Sequence, residues 1–80
     1  MLHPLTENKV REIREAIASA VRMARADKRL TQAETAALAG VNVNRIKDIE
    51  NAARDPKFST IVRVAEALGV QVAVSMGRAA

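Results

Sequence analysis

An all-α domain of four to five helices, ending in one short strand, is what this 80-residue chain predicts. Apolar residues recur at helical spacing in each long segment up to Leu68. Helix start and stop signals stand at Thr31, Gly40, Asn42, Pro56 and Gly69. Strand-like alternation occurs once, at Val70 to Met76.

The first helix is expected from about Glu7 to Lys28, with Thr6 as its cap and Val10, Ile13, Ile17, Val21 and Ala24 as its apolar stripe. Cations gather in its second half at Arg22, Arg25, Lys28 and Arg29, which suits the negative end of a helix. Arg22 and Lys28 read as a solvated face rather than as phosphate contacts. Glu12 and Glu15, interleaved with Arg11 and Arg14, read as surface ion pairs.

Thr31 followed three residues later by Glu34 is a capping box, so a second helix starts there. Gly40 suits a left-handed stop after about two turns, and Asn42 can cap a third helix almost at once. In that third helix Ile46 and Ile49, with Val41 of the turn, can seal against the domain and leave Val43, Asn44, Lys47 and Asp48 outward. Two short helices around a tight turn, the second with an apolar underside and a polar outer face, fit a helix that enters a nucleic-acid groove.

Residues 52–56 form a connector, because Pro56 restrains Asp55 and cannot extend the preceding helix. The fourth helix turns Ile61, Val64, Ala65 and Leu68 inward and stops at Gly69. In the following VQVAVSM, Val70, Val72, Val74 and Met76 alternate with Gln71, Ala73 and Ser75. A lone strand leaves its backbone groups unpaired, so the expected partner is the same strand of a second copy, antiparallel about a two-fold axis. The alternative is an apolar segment packed back on its own domain, as a fifth helix or in extended form. The organisation expected is an arm at 1–6, the helical domain at 7–69, a dimerisation strand at 70–76 and a tail at 77–80.

Hydrophobic residues make up 49% of the chain but aromatics only 1%, so the core is expected to consist of closely packed Ala, Val, Ile and Leu without a large ligand pocket. One such small core is marginal, and self-association would help it. A net charge of +4 is compatible with nucleic acid. There is no cysteine, hence no disulfide framework or Cys-type zinc site, and a reducing cytoplasm fits. No apolar run suggests a signal peptide or a membrane span. His3 is the lone histidine and glycine occurs only at 40, 69 and 77, so neither a nucleophile with its base nor a phosphate-cradling loop is apparent. A non-enzymatic chain without a cofactor is expected.

These features resemble the lambda-repressor-like, XRE-type helix-turn-helix family over about Val21 to Val70. The resemblance rests on Thr31-Gln32, Ala39-Gly40-Val41, Ile46-Lys47-Asp48-Ile49-Glu50, Pro56 and Ala67-Leu68-Gly69-Val70. It implies a homodimeric transcriptional regulator, a repressor by default, that sets two third helices in successive major grooves of a near-palindromic operator on double-stranded DNA. It also implies base-reading roles for Val43, Asn44, Arg45, Lys47 and Asp48 and phosphate contacts for Thr31, Gln32, Asn51 and Arg54. Arg25 and Glu50 match positions that form a structural ion pair. Four residues depart from the pattern: Thr35 where Leu is usual, Leu38 at a polar site, Ala52 for Gly, and Asp48 on the reading face. The C-terminal strand resembles antitoxin repressors of the HipB type, which implies a possible toxin or other regulatory partner. An interaction module that has lost DNA reading is a further alternative.

Overall fold

The computed structural model describes residues 4–77; Met1 to His3 of the expected arm and Arg78 to Ala80 of the expected tail lie outside them. Among these residues four helices run in the order α1 (Pro4–Asp27), α2 (Gln32–Ala39), α3 (Val43–Glu50) and α4 (Phe58–Leu68). Helix α3 packs on both α1 and α2, and α4 packs on α2 and α1. No helix among the described residues is long and apolar enough to cross a membrane.

The caps follow from side-chain chemistry. Thr31 Oγ1 accepts from the Glu34 amide at 3.0 Å and the Glu34 carboxylate accepts from the Thr31 amide at 2.8 Å, closing the capping box of α2. Asn42 Oδ1 accepts from the Asn44 amide at 2.8 Å and starts α3. Helix α1 already includes Thr6 within its first turns, so the cap expected there is replaced by an earlier start at Pro4, a residue favoured in a first helical turn because its missing amide would be unpaired anyway.

Each helix ends in the same way. One residue turns left-handed, its amide bonds back three residues, and the next amide bonds back five, as in a Schellman motif. For α2 the pivot is Gly40, with Val41 donating to Ala36 at 3.0 Å. For α4 it is Gly69, with Val70 donating to Ala65 at 2.9 Å. For α1 and α3 the pivots are Arg29 and Ala52, at φ 56° and 51°. Ala52 therefore takes the left-handed position where the family pattern favours glycine, and Ala53 donates to the Asp48 carbonyl at 3.0 Å.

The core is built from small residues. Val21 and Ala24 of α1 meet Ala36 and Ala39 of α2, Ile46 and Ile49 of α3, and Val64 and Leu68 of α4, and Ala18 and Ala65 are buried as well. Alanines let the helices approach closely, and fully buried Ile46 and Leu68 each contribute roughly 1.5–3 kcal/mol. Thr35 is also fully buried, and its hydroxyl donates to the Thr31 carbonyl at 3.0 Å. A back-bonded threonine thus fills the site of the usual leucine, and Leu38 of the same helix stays 63% exposed.

The apolar stripe of α1 is buried only in its second half. At 1.5 Å per residue a 24-residue helix spans about 36 Å, whereas the molecule measures 41 × 24 × 20 Å. The first half extends beyond the other helices, leaving Val10 half-buried and Ile13 52% exposed. Residues 70–77 carry no regular secondary structure and are exposed. Within this single chain the segment at Val70 to Met76 forms neither a strand nor a fifth helix, because no other described segment is extended beside it to share a ladder.

Candidate nucleic-acid interface

Helix α3 is anchored from below by Ile46 and Ile49, which are buried among α1, α2 and α4. Its last residue is held harder still. Arg25 of α1 grips the Glu50 carboxylate through Nε–Oε2 at 2.7 Å and Nη2–Oε1 at 2.8 Å, and gives its third nitrogen to the Leu30 carbonyl at 2.9 Å. Arg22 is exposed, as expected of a solvated face, and its guanidinium also donates to the Glu50 backbone carbonyl. The hydrogen bond to Glu50, offset in part by burial and aided by the carboxylate's charge, raises the Arg25 pKa above its ordinary value.

Gln32, at the start of α2, donates Nε2 to Glu50 Oε1 at 3.3 Å. Its amide is therefore engaged with the buried ion pair, and a phosphate contact requires it to swing outward. The Glu34 carboxylate takes the Thr31 amide and the Thr31 hydroxyl accepts from the Glu34 amide, so both groups of Thr31 are engaged in the capping box.

The outer surface of α3 carries Asn44, Arg45 and Lys47, all exposed. Val43 is only half-open, since its side chain packs against the core. Asp48 lies between two cations: Arg45 Nη1 and Arg54 Nε each stand 3.5 Å from the same oxygen, Oδ2. Asn51, at the end of α3, is exposed. Arg45, Asp48 and Arg54 thus converge, whereas Gln32 meets Glu50 at the end of α3 and Thr31 is engaged within the cap of α2.

Beside α3 a shallow depression is lined by Arg45, Asp48, Arg54, Asp55, Lys57 and Thr60, among others. Lys57 opens α4 without a side-chain cap. It was not singled out from the sequence; the available signal was a cation on each side of Pro56, at Arg54 and Lys57. Asp55 is in turn held 3.5 Å from Arg14 of α1, so Arg14 ties the connector to the first helix rather than pairing along it.

The helix-turn-helix family matches residues 21–74, more than half of the chain, from the second half of α1 through the segment after α4. The chain belongs to the XRE-type helix-turn-helix family. No curated protein matches it significantly. In this helix-turn-helix protein α2 and α3 are the two helices of the motif, Gly40 to Asn42 is its turn, and α3 occupies the place of the recognition helix. The domain family is one of DNA-binding transcription regulators.

Proposed function

We propose that this helix-turn-helix protein is a sequence-specific transcriptional repressor that binds a near-palindromic operator as a homodimer. The observation that carries the reading is the mounting of α3: two buried isoleucines and a bidentate ion pair fix one side, and Asn44, Arg45 and Lys47 stand exposed on the other. A rigidly held helix with exposed polar side chains suits the major groove, where asparagine pairs with adenine and arginine or lysine with guanine. Val43 offers a methyl surface to thymine, and Thr31, Gln32, Asn51 and Arg54 set the helix against phosphates.

The dimer is supported by the apolar surface left open beyond the core. Val70 and Val72 line a groove with Val62 and Ala65 of α4, and Val74 and Met76 continue the row with more than four-fifths of their surface exposed. Antiparallel pairing of two copies of this segment would satisfy its backbone groups and cover that row. Such a regulator works beside DNA in the cytoplasm.

A second reading, an interaction module without DNA reading, draws on exposed Leu38 and on the engagement of Arg45 and Arg54 by Asp48. The discriminating experiment is a selection of the purified full chain on random-sequence duplex DNA at two salt concentrations. Enrichment of a two-fold symmetric sequence, weakened by salt and lost with Asn44→Ala, is expected of the repressor. A folded protein that enriches nothing at either salt belongs to the second class.

A further inference from the structure

We infer that Asp48 sets the ratio of specific to non-specific DNA binding, by holding Arg45 and Arg54 in an internal ion-pair cluster that only a matching base sequence opens. The inference rests on the DNA-binding reading above and adds to it a role for the carboxylate that stands among the reading residues.

The geometry joins three charged side chains. Arg45 lies one turn before Asp48 on α3, and Arg54 lies beyond the helix end, yet both guanidinium groups stand 3.5 Å from one oxygen of Asp48. The position of Arg54 follows from the backbone. Ala52 turns left-handed and Ala53 donates to the carbonyl of Asp48 itself, so the chain folds back over the residue whose side chain receives Arg54. Asp48 is the least exposed of the three, with 26% of its side chain open against 49% for Arg45 and 67% for Arg54. The carboxylate is thus the hub and the arginines are its arms. Lys57 and Asp55 line the adjoining depression and complete the charged surroundings.

Non-specific affinity comes from cations that displace counterions from phosphates. An arginine that faces a carboxylate contributes less of this, because reaching a phosphate means leaving its partner, and the carboxylate itself repels the backbone. A matched site compensates in two ways: guanine O6 and N7 offer Arg45 a bidentate partner, and a cytosine N4 amino group donates to Asp48. The penalty falls on every sequence and the compensation on a few, which is how a repulsive element gives selectivity.

The test uses the full chain and its Asp48→Asn, Asp48→Glu and Asp48→Asn plus Arg54→Gln variants, each titrated across a sodium chloride series onto a mixed-sequence duplex and onto the sequence enriched by selection. Asp48→Asn is expected to bind the mixed-sequence duplex about tenfold more tightly near 0.1 M salt, with the slope of log affinity against log salt steeper by up to about 1.8, two phosphates' worth. Its specific-to-non-specific ratio falls. Asp48→Glu keeps the wild-type ratio, and adding Arg54→Gln removes about half of the extra slope. A merely structural Asp48 would lower the melting temperature without raising non-specific affinity. Wild-type protein that binds its enriched sequence, with Asp48→Asn unchanged in slope and ratio, overturns the inference alone. Wild-type protein that binds no duplex while Asp48→Asn gains salt-sensitive binding overturns the repressor reading and the selectivity inference together, since no sequence then opens the cluster. Absence of binding by all four proteins overturns both.

Discussion

Arg25 and Glu50 join α1 to the end of α3 through two parallel hydrogen bonds, and their exposure is unequal: 23% of the Arg25 side chain reaches the surface but only 3% of Glu50. The inequality predicts an order of damage. Arg25→Ala leaves a buried carboxylate whose remaining side-chain donor is Gln32 at 3.3 Å, and should cost about 3–5 kcal/mol. Glu50→Ala leaves an arginine that still holds the Leu30 carbonyl and can reach water, so roughly 2–3 kcal/mol is expected. Urea unfolding of both variants measures the order; equal losses, or a fully stable Arg25→Ala, contradict it.

The left-handed residue at the end of α3 has a side chain, whereas the one at the end of α2 does not. Ala52 sits at φ 51° and Gly40 at φ 69°. A left-handed alanine costs roughly 1–2 kcal/mol, part of which is offset by the lower unfolded-state entropy of alanine relative to glycine. Ala52→Gly should therefore stabilise the protein by about 0.5–1 kcal/mol, a rise of about 3–6 °C in Tm. Gly40→Ala should do the reverse by a similar amount, and for backbone reasons alone, since nothing lies within 4 Å of the Cβ it would add. Calorimetry of the two variants gives both signs.

Acid acts on the start of α2. The Glu34 carboxyl lies below its ordinary value of 4.5, held there first by the Thr31 amide and then by the Thr31 hydroxyl. A carboxyl whose folded value is lowered binds its proton more weakly in the folded state than in the unfolded one. Its contribution is complete above the ordinary value and disappears as pH falls through the lowered one. The melting-temperature gap between wild type and Glu34→Gln should accordingly shrink as pH goes from roughly 6 to roughly 3. A gap constant over that range would mean that the charge of Glu34 does nothing for the cap.

Removal of residues 71–80 tests the dimer. Among the described residues none of the buried core lies beyond Leu68, and Val70 keeps the amide that closes α4, so the shortened domain is expected to retain its fold. Light scattering should give twice the 8.6 kDa chain mass for the whole protein and one shortened chain after removal. An unchanged two-chain mass would assign dimerisation to another surface, such as the open first half of α1 with Leu5 and Ile13.

The termini of α2 and α3 and the stop of α4 were legible because they depend on neighbours in sequence, whereas the Thr6 cap expected for α1 was not formed. The Thr31–Glu34 box, the Asn42 cap and the left-handed glycines each close within a few residues. The inward stripe of α4 was legible for the same reason, since periodicity reports one face of a helix. Periodicity does not report where the covering elements stop, which is why Ile13 shares the stripe of Val21 but not its burial. The engagement of Arg22 with the Glu50 carbonyl and the meeting of Arg54 with Asp48 depend on tertiary placement and on the turn at Ala52, and neither spacing nor charge pattern announces them. The C-terminal alternation was visible, but a strand needs a partner, and a single chain contains none for it among the described residues.

In the proposed repressor, α3 enters the major groove twice, once from each copy. Methylation protection by dimethyl sulfate on the enriched duplex tests it most directly, because guanine N7 lies in the major groove and adenine N3 in the minor. Protection of guanine N7 in two patches about 10 base pairs apart, with adenine N3 still reactive and the protection lost in Asn44→Ala, is the predicted result. Protection confined to adenine N3, or a single patch without two-fold symmetry, would contradict it.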